Sequence, residues 1–209
     1  MAPPSNLVLN PGTRLVPTTY RDCSAAVATI RALAEYLESL TFPLDGRKQT
    51  KFAVVRALKA EPEDLAAYPA AAVFMEGEAQ YGMEDGALQP IYDPSGDLDD
   101  GSSLFLGGEV RVDLQVHVWT NEIEERENVM MALEDAFTPV EWMSGFLLEM
   151  PHYYNLRATF QFRSMSYEDT DADNQRRYRK LGIRIQAICP YARVFTLPRL
   201  RPSPAVEVS

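Results

Sequence analysis

The sequence predicts an α+β fold: a mostly antiparallel sheet with two main helices packed on it, and extended Pro-rich arms at the N- and C-termini. Three observations carry this. Residues 108–120, GEVRVDLQVHVWT, alternate apolar and polar side chains, with Val110, Val112, Leu114, Val116 and Val118 on one side. Residues 121–137 then switch to helical spacing, so strand and helix are joined by a short turn and the helix folds back on the valine face. Two further alternating runs, 156–163 and 181–189, flank an acidic stretch and read as a hairpin.

In chain order, residues 1–21 form an N-terminal arm holding Pro3, Pro4, Pro11, Gly12 and Pro17, with a small apolar patch at Leu7-Val8-Leu9. An extended segment with a few apolar anchors is poorly stabilised alone, and reads either as a disordered tail or as an arm that docks on a neighbouring subunit. A single α+β domain follows over 22–190. Its first helix runs from Asp22 or Ser24 to Leu40, with Val27, Ile30, Leu33, Ala34, Leu37 and Leu40 inward, and stops ahead of Pro43. Asp45-Gly46 turns the chain, and the basic run Arg47–Lys51 reads as a solvated loop. Strands are expected at Phe52–Leu58, at Ala70–Glu76 and, more briefly, at Leu88–Tyr92. Glu61–Leu65 reads as a turn, and Gly77, Gly82 and Gly86 mark bends.

Asp93 to Ser103 is an acidic loop insertion. Its spacing invites a calcium reading, but an EF-hand needs Gly at its sixth position and Glu at its twelfth. Counting from Asp93, those positions are Leu98 and Leu104, and the reading fails.

In the second helix, Asn121 reads as the N-cap and Glu124 as its capping-box partner. Ile123, Val129, Met130, Leu133, Ala136 and Phe137 are the expected inward side chains. Residues 139–150 are strongly apolar around Gly145 and read as a short strand or a packed connector. Tyr167–Gln175 is an exposed acidic loop at a hairpin tip. From Pro190 the chain loses regular structure, giving a C-terminal arm over 191–209 with Pro198, Pro202 and Pro204.

The formal net charge is −10, against a tightly held nucleic acid or an anionic membrane surface. No apolar run is long enough to span a bilayer, and no secretion signal is expected at the N-terminus. Cys23 and Cys189 are far apart in sequence with no CxxC, and read as reduced thiols of a cytoplasmic product, with a bridge between them as the alternative.

The row His117, Asp113 and Trp119, on the non-valine side of the long strand, is the first place to look for a site. Residues four apart in a strand lie about 13 Å apart, too far for direct hydrogen bonding. No second His or Cys stands at metal-ligand spacing, and His152, between Pro151 and Tyr153-Tyr154, reads as a packing residue. GxSxG, Walker and GxGxxG patterns are absent, and Gly107-Gly108 precedes a strand rather than a helix. No catalytic, cofactor-binding or metal-ligating residue is assigned, no cofactor is implied, and an enzyme is not expected. The row reads better as a surface that meets another chain or another part of this one.

The run VDLQVHVWT at 112–120, leading into EERENVMMALEDAF at 124–137 and then a closing apolar hairpin, resembles the tail terminator and tail-completion proteins of long-tailed bacteriophages. The helix Ala25–Leu40 fits the same layout, and the resemblance covers roughly residues 24–190. It implies a structural virion protein of the tail or neck, assembled in the host cytoplasm. Such proteins form a homo-oligomeric ring, usually hexameric, that caps the tail tube and joins it to neck or connector proteins. DNA passes through the lumen without specific binding, which suits an acidic chain, and no membrane is involved. A head–tail connector, neck or baseplate adaptor is the alternative. A small-molecule-binding or enzymatic α+β domain using the open sheet face is the third. The resemblance carries no catalytic residues. The acidic insertion and the length of the arms depart from a minimal family member.

Overall fold

The computed structural model describes residues 23–44, 48–61, 65–83, 89–91, 102–136, 138–170 and 178–196. The expected arm at 1–21, residues 197–209 of the expected C-terminal arm and most of the acidic insertion lie outside them, as do the tip of the closing hairpin and Phe137.

The fold is a mixed helix-and-sheet arrangement built on a mostly antiparallel sheet. The chain order is α1 (Ala25–Ser39), β1 (Phe42–Leu44), β2 (Lys48–Thr50), β3 (Val54–Arg56), β4 (Ala70–Met75), β5 (Gln80–Met83), β6 (Gln89–Ile91) and β7 (Ser102–Thr120). It continues with α2 (Ile123–Ala136), α3 (Pro139–Ser144), β8 (Phe146–Met150), β9 (Leu156–Thr170) and β10 (Tyr178–Thr196). The main sheet runs β3-β4-β7-β10-β9-β8, with β5 and β6 also paired to β7, while β1 and β2 form a separate hairpin.

The alternation of β7 survives intact. Val110, Val112, Leu114, Val116 and Val118 are buried in one core with Ile183, Ile185, Ala187 and Cys189 of β10 and Ala158 and Phe160 of β9. Helices α1 and α2 close this core, so the second helix does fold back on the valine face. Each fully buried branched side chain here stabilises by roughly 1.5–3 kcal/mol through removal from water.

The helices differ from expectation in the faces they bury. In α1, capped by Ser24, the buried set is Ala25, Ala26, Ala28, Thr29, Ala32, Leu33, Ala34 and Leu37, while Val27 is exposed. A stripe of alanines lets the helix axis approach the sheet closely, and that outweighs the larger side chain of Val27. In α2 the buried set is Arg126, Val129, Met130 and Leu133; Ile123 is exposed, as is Ala136. Asn121 is not the N-cap. The buried Thr120 hydroxyl donates to the Glu122 carbonyl, the Arg126 N–H donates to that same carbonyl, and the Glu125 carboxylate, not Glu124, accepts from the Asn121 N–H. The turn out of β7 therefore takes residues 121 and 122 before the helix begins.

Several strand boundaries also move. The expected strand 52–58 shrinks to β3, which pairs parallel with β4 and so must leave the sheet for a crossover connection. Gln80–Met83, expected as bends, is a strand on β7, and Lys48–Thr50, expected as loop, pairs with Phe42–Leu44. Residues 139–150 resolve into a helix and an edge strand. Thr138 and Glu141 form a full capping box with Pro139 opening α3. Gly145, at φ +92°, ends it where an ideal Cβ would lie 2.7 Å from the Phe160 carbonyl oxygen, so no side chain fits. Strand β9 extends to Thr170, taking in Tyr167–Thr170 of the expected acidic loop. Strand β10 runs on to Thr196, past the expected boundary at 190; its register shifts between Pro190 and Ala192, the irregularity at which a residue lacking an N–H is tolerated.

Candidate functional site

The second face of the sheet is where a site could form. Register fixes its rows. Opposite Trp119 of β7 stand Ala70 of β4 and Lys180 of β10; opposite His117 stand Ala72 and Gly182; opposite Gln115 stand Phe74 and Arg184; opposite Asp113 stands Gln186.

One end of this face is closed. The crossover from β3 to β4 lays Ala60 and Leu65 against Ala70, Ala72 and Trp119, forming a second small core in which Trp119 is 1% exposed. Trp119 is thus a core residue, not part of an open surface.

His117 lies at the boundary of this small core. Its ring sits edge-on to Phe74 at 4.8 Å and to Trp119 at 5.6 Å between centroids. Partial burial, followed by the positive charge of Lys180, pushes its pKa down to about 4, so the ring is neutral at pH 7. Its Nε2 is 2.8 Å from the Gln115 side-chain oxygen, which makes Nε2–H the donor. Asp113 is engaged elsewhere: its Oδ1 accepts from Gln186 Nε2 at 3.0 Å. The structure therefore brings His117 and Trp119 together and leaves Asp113 in a separate group. Among the described residues the partner of the His117 ring is the Gln115 amide rather than a carboxylate, an arrangement different from that of a base dyad.

Beyond His117 the face is a polar lattice across three strands. Arg163 of β9 donates to Gln161 at 2.9 Å and to the Gln186 side-chain oxygen of β10, and Gln186 in turn reaches Asp113 of β7. Arg184 of β10 reaches Glu76, just past β4, at 3.5 Å, and the Glu76 N–H donates to the Asp113 carbonyl at 2.8 Å. Glu76, Asp113, Leu114, Arg163, Arg184 and Ile185 line a shallow cleft of about 310 Å³. Its two arginines and two carboxylates balance in sign: Arg184 pairs with Glu76 directly, and Gln186 links Arg163 to Asp113. Solvent-exposed pairs of this kind each contribute only about 0–1 kcal/mol to stability.

The remaining candidates lie away from this face. His152 is in the turn after β8, with Nε2 3.3 Å from Glu35 of α1. The Cys23 thiol, at the start of α1, donates to the His152 carbonyl at 3.6 Å. In the same turn Tyr153 is fully buried, its hydroxyl donating to the Ala192 carbonyl at 3.1 Å and accepting from the Ala192 N–H at 2.9 Å. Cys189, buried on the valine face, is not bridged to Cys23, and burial pushes its pKa up to about 12, the opposite of an activated thiol. Among the described residues no group of three or more His, Cys, Asp and Glu side chains converges as a metal site, and no helix is long and apolar enough to cross a membrane.

Sequence reading did not find the lattice of Glu76, Arg163, Arg184 and Gln186. The alternation of β10 does put Arg184 and Gln186 on its polar side. Joining them to Glu76 and Arg163 needs the strand order, which no local pattern carries. No family model matches this chain, and no curated protein matches it in sequence.

Proposed function

We propose that this chain is a structural subunit of a phage tail of the terminator kind, whose copies close into a ring, six in number as the resemblance implies. The ring caps the tail tube and meets the neck, and DNA crosses its lumen without specific binding. The observation that supports this reading best is the second face of the sheet: a broad surface on which Arg184 pairs with Glu76, Gln186 links Arg163 to Asp113, and His117 is neutral and held by Gln115. A surface of balanced, mutually bonded polar groups suits packing against another protein, where shape and hydrogen bonds rather than one strong charge set the fit. Two 19-residue strands extend it to about 60 Å, long enough to reach across a subunit boundary. The net charge of −10 suits a passage through which DNA slides without adhering.

The test is native mass measurement of the full chain, alone and with polymerising tail tube protein. The expected outcome is a closed multiple of the subunit mass, formed alone or on tube ends, together with tubes of arrested length. Tubes that keep lengthening in its presence would overturn the terminator role, and a chain bound only to connector rings would move it to the neck.

A further inference from the structure

We propose that the far end of the β7–β10 ribbon, residues 102–106 with 192–196, is a lever that turns about one line across the sheet, and that the Tyr153 hydroxyl is the latch that holds it. The inference rests on strand register and on one buried hydroxyl, and it is independent of the tail reading.

Register draws the line. Pro190 of β10 stands opposite Glu109 of β7 and Ala192 opposite Leu106, so one residue, Tyr191, faces two, Gly107 and Gly108. That is a β-bulge on β7, a place where a strand bends. Gly108 takes φ +133°, a conformation that side chains rarely adopt, so the glycine pair that precedes no helix has its use inside the strand. At the same level of β10, Pro190 has no N–H to give to a ladder. Among the described residues no third strand bridges the line. Strand β5 pairs as far as Gly108 on the near side, β6 takes up at Leu106 on the far side, and the pairing of β9 with β10 ends at Ile188. A hinge needs a few residues that absorb backbone rotation, and the bulge supplies them.

A side chain holds the lever in place. Beyond the end of β9 pairing, the Tyr153 hydroxyl does for Ala192 what a neighbouring strand would do. It donates to the Ala192 carbonyl at 3.1 Å and accepts from the Ala192 N–H at 2.9 Å. Tyr153 itself belongs to the near side. It is fully buried in the main core, its N–H donates to the Met150 carbonyl at 2.9 Å, and its carbonyl accepts from the Leu156 N–H at 3.1 Å. The Cys23 thiol, donating to the His152 carbonyl, ties the same turn to the start of α1. A contact made by one hydroxyl can open without the core opening, unlike a full strand ladder. Five residues of strand make a lever about 17 Å long, so a turn of about 20° moves its tip by roughly 6 Å.

Spin-label distance measurements on the full chain test this. One nitroxide goes on Glu38→Cys of α1. The other goes on Ser103→Cys, on the lever, or on Arg111→Cys, on the same strand before the line. The background is Cys23→Ser, in which Cys189, 1% exposed, stays unlabelled. Tyr153→Phe keeps the ring and removes both hydrogen bonds to Ala192. It should widen the 38–103 distance distribution at least twofold and leave the 38–111 distribution as in the parent. Unchanged widths in Tyr153→Phe, or equal widening of both pairs, would overturn the proposal. Native-state amide exchange on the unsubstituted chain gives a second reading. The Ala192 N–H should exchange at least tenfold faster than those of Val116 and Val118, at a rate that low urea does not change. An Ala192 amide that exchanges only with global unfolding would also overturn it.

Discussion

Over residues 110–119 the two faces of β7 each carry five side chains and do different things. The valine face is covered by α1 and α2 and holds only aliphatic groups, each at most 1% exposed. The opposite face changes character along its length: Trp119 is sealed under a crossover, His117 is half-buried, and Asp113 and Arg111 are exposed. Alternation in a strand thus tells which side chains share a face, and the covering element decides what that face is for. A row that looks like one surface in sequence is a core at one end and a wet lattice at the other.

Paired substitutions test the comparison most severely. Val116→Asp puts an unpaired carboxylate under the helices and is expected to cost more than about 4 kcal/mol, seen as loss of a cooperative urea transition. Gln115→Asp, one residue away on the other face, is expected within about 1 kcal/mol of the parent. Equal losses would break the distinction between the faces. Trp119→Ala, although on the polar row, is expected to cost about 3–5 kcal/mol, as a core truncation does; a loss below about 1 kcal/mol would mean the crossover does not seal that end. Gln186→Ala removes the link between Asp113 and Arg163 and is expected to cost about 1 kcal/mol by urea titration.

His117 gives a pH signature. Its folded pKa of about 4 lies below its ordinary value of 6.5, so the unfolded chain binds the proton more readily between those values. Its contribution is complete above pH 6.5 and is lost as pH falls towards about 4. His117→Gln should flatten the stability profile in that window and leave it unchanged above pH 7; an unaltered slope would show that the histidine is freely solvated. The smallest effect belongs to Arg157→Ala, which removes an exposed pair with Glu149 and is expected to shift stability by less than about 0.5 kcal/mol.

How far the sequence carried depends on what each element needed to declare itself. The valine alternation of β7 and the hairpin of β9 and β10 were legible because one face is continuously covered. The extent of α1 was legible too, but not its buried side: a template that seeks large residues chooses Val27, while the packing chose alanines that allow close approach. Strands β1, β2 and β5 have three or four residues, too few to show a period, and exist because a neighbour pairs them. The capping box of α3 was readable in Thr138-Pro139-Val140-Glu141 and was obscured by the apolar residues after it. Of the candidate site, the sequence supplied His117, Asp113 and Trp119 and the demotion of a direct His–Asp pair. The partners that occupy them, Gln115, Gln186 and the crossover, come from register and strand order.

The pairing of β7 with β10 has a mechanical consequence. The two strands run antiparallel over nearly their whole lengths, from Thr120 beside Arg179 to Ser102 beside Thr196. Tension applied at Ser102 and Arg179, at opposite ends of the ladder, loads its hydrogen bonds together in shear. Tension applied at Ser102 and Thr196 opens them one after another like a zip. Pulling a single molecule through these two pairs of attachment points should give a high rupture force for the first and a low one for the second. The same stretch of sheet is thus stiff along the strands and weak across one end, and the direction of load sets its strength.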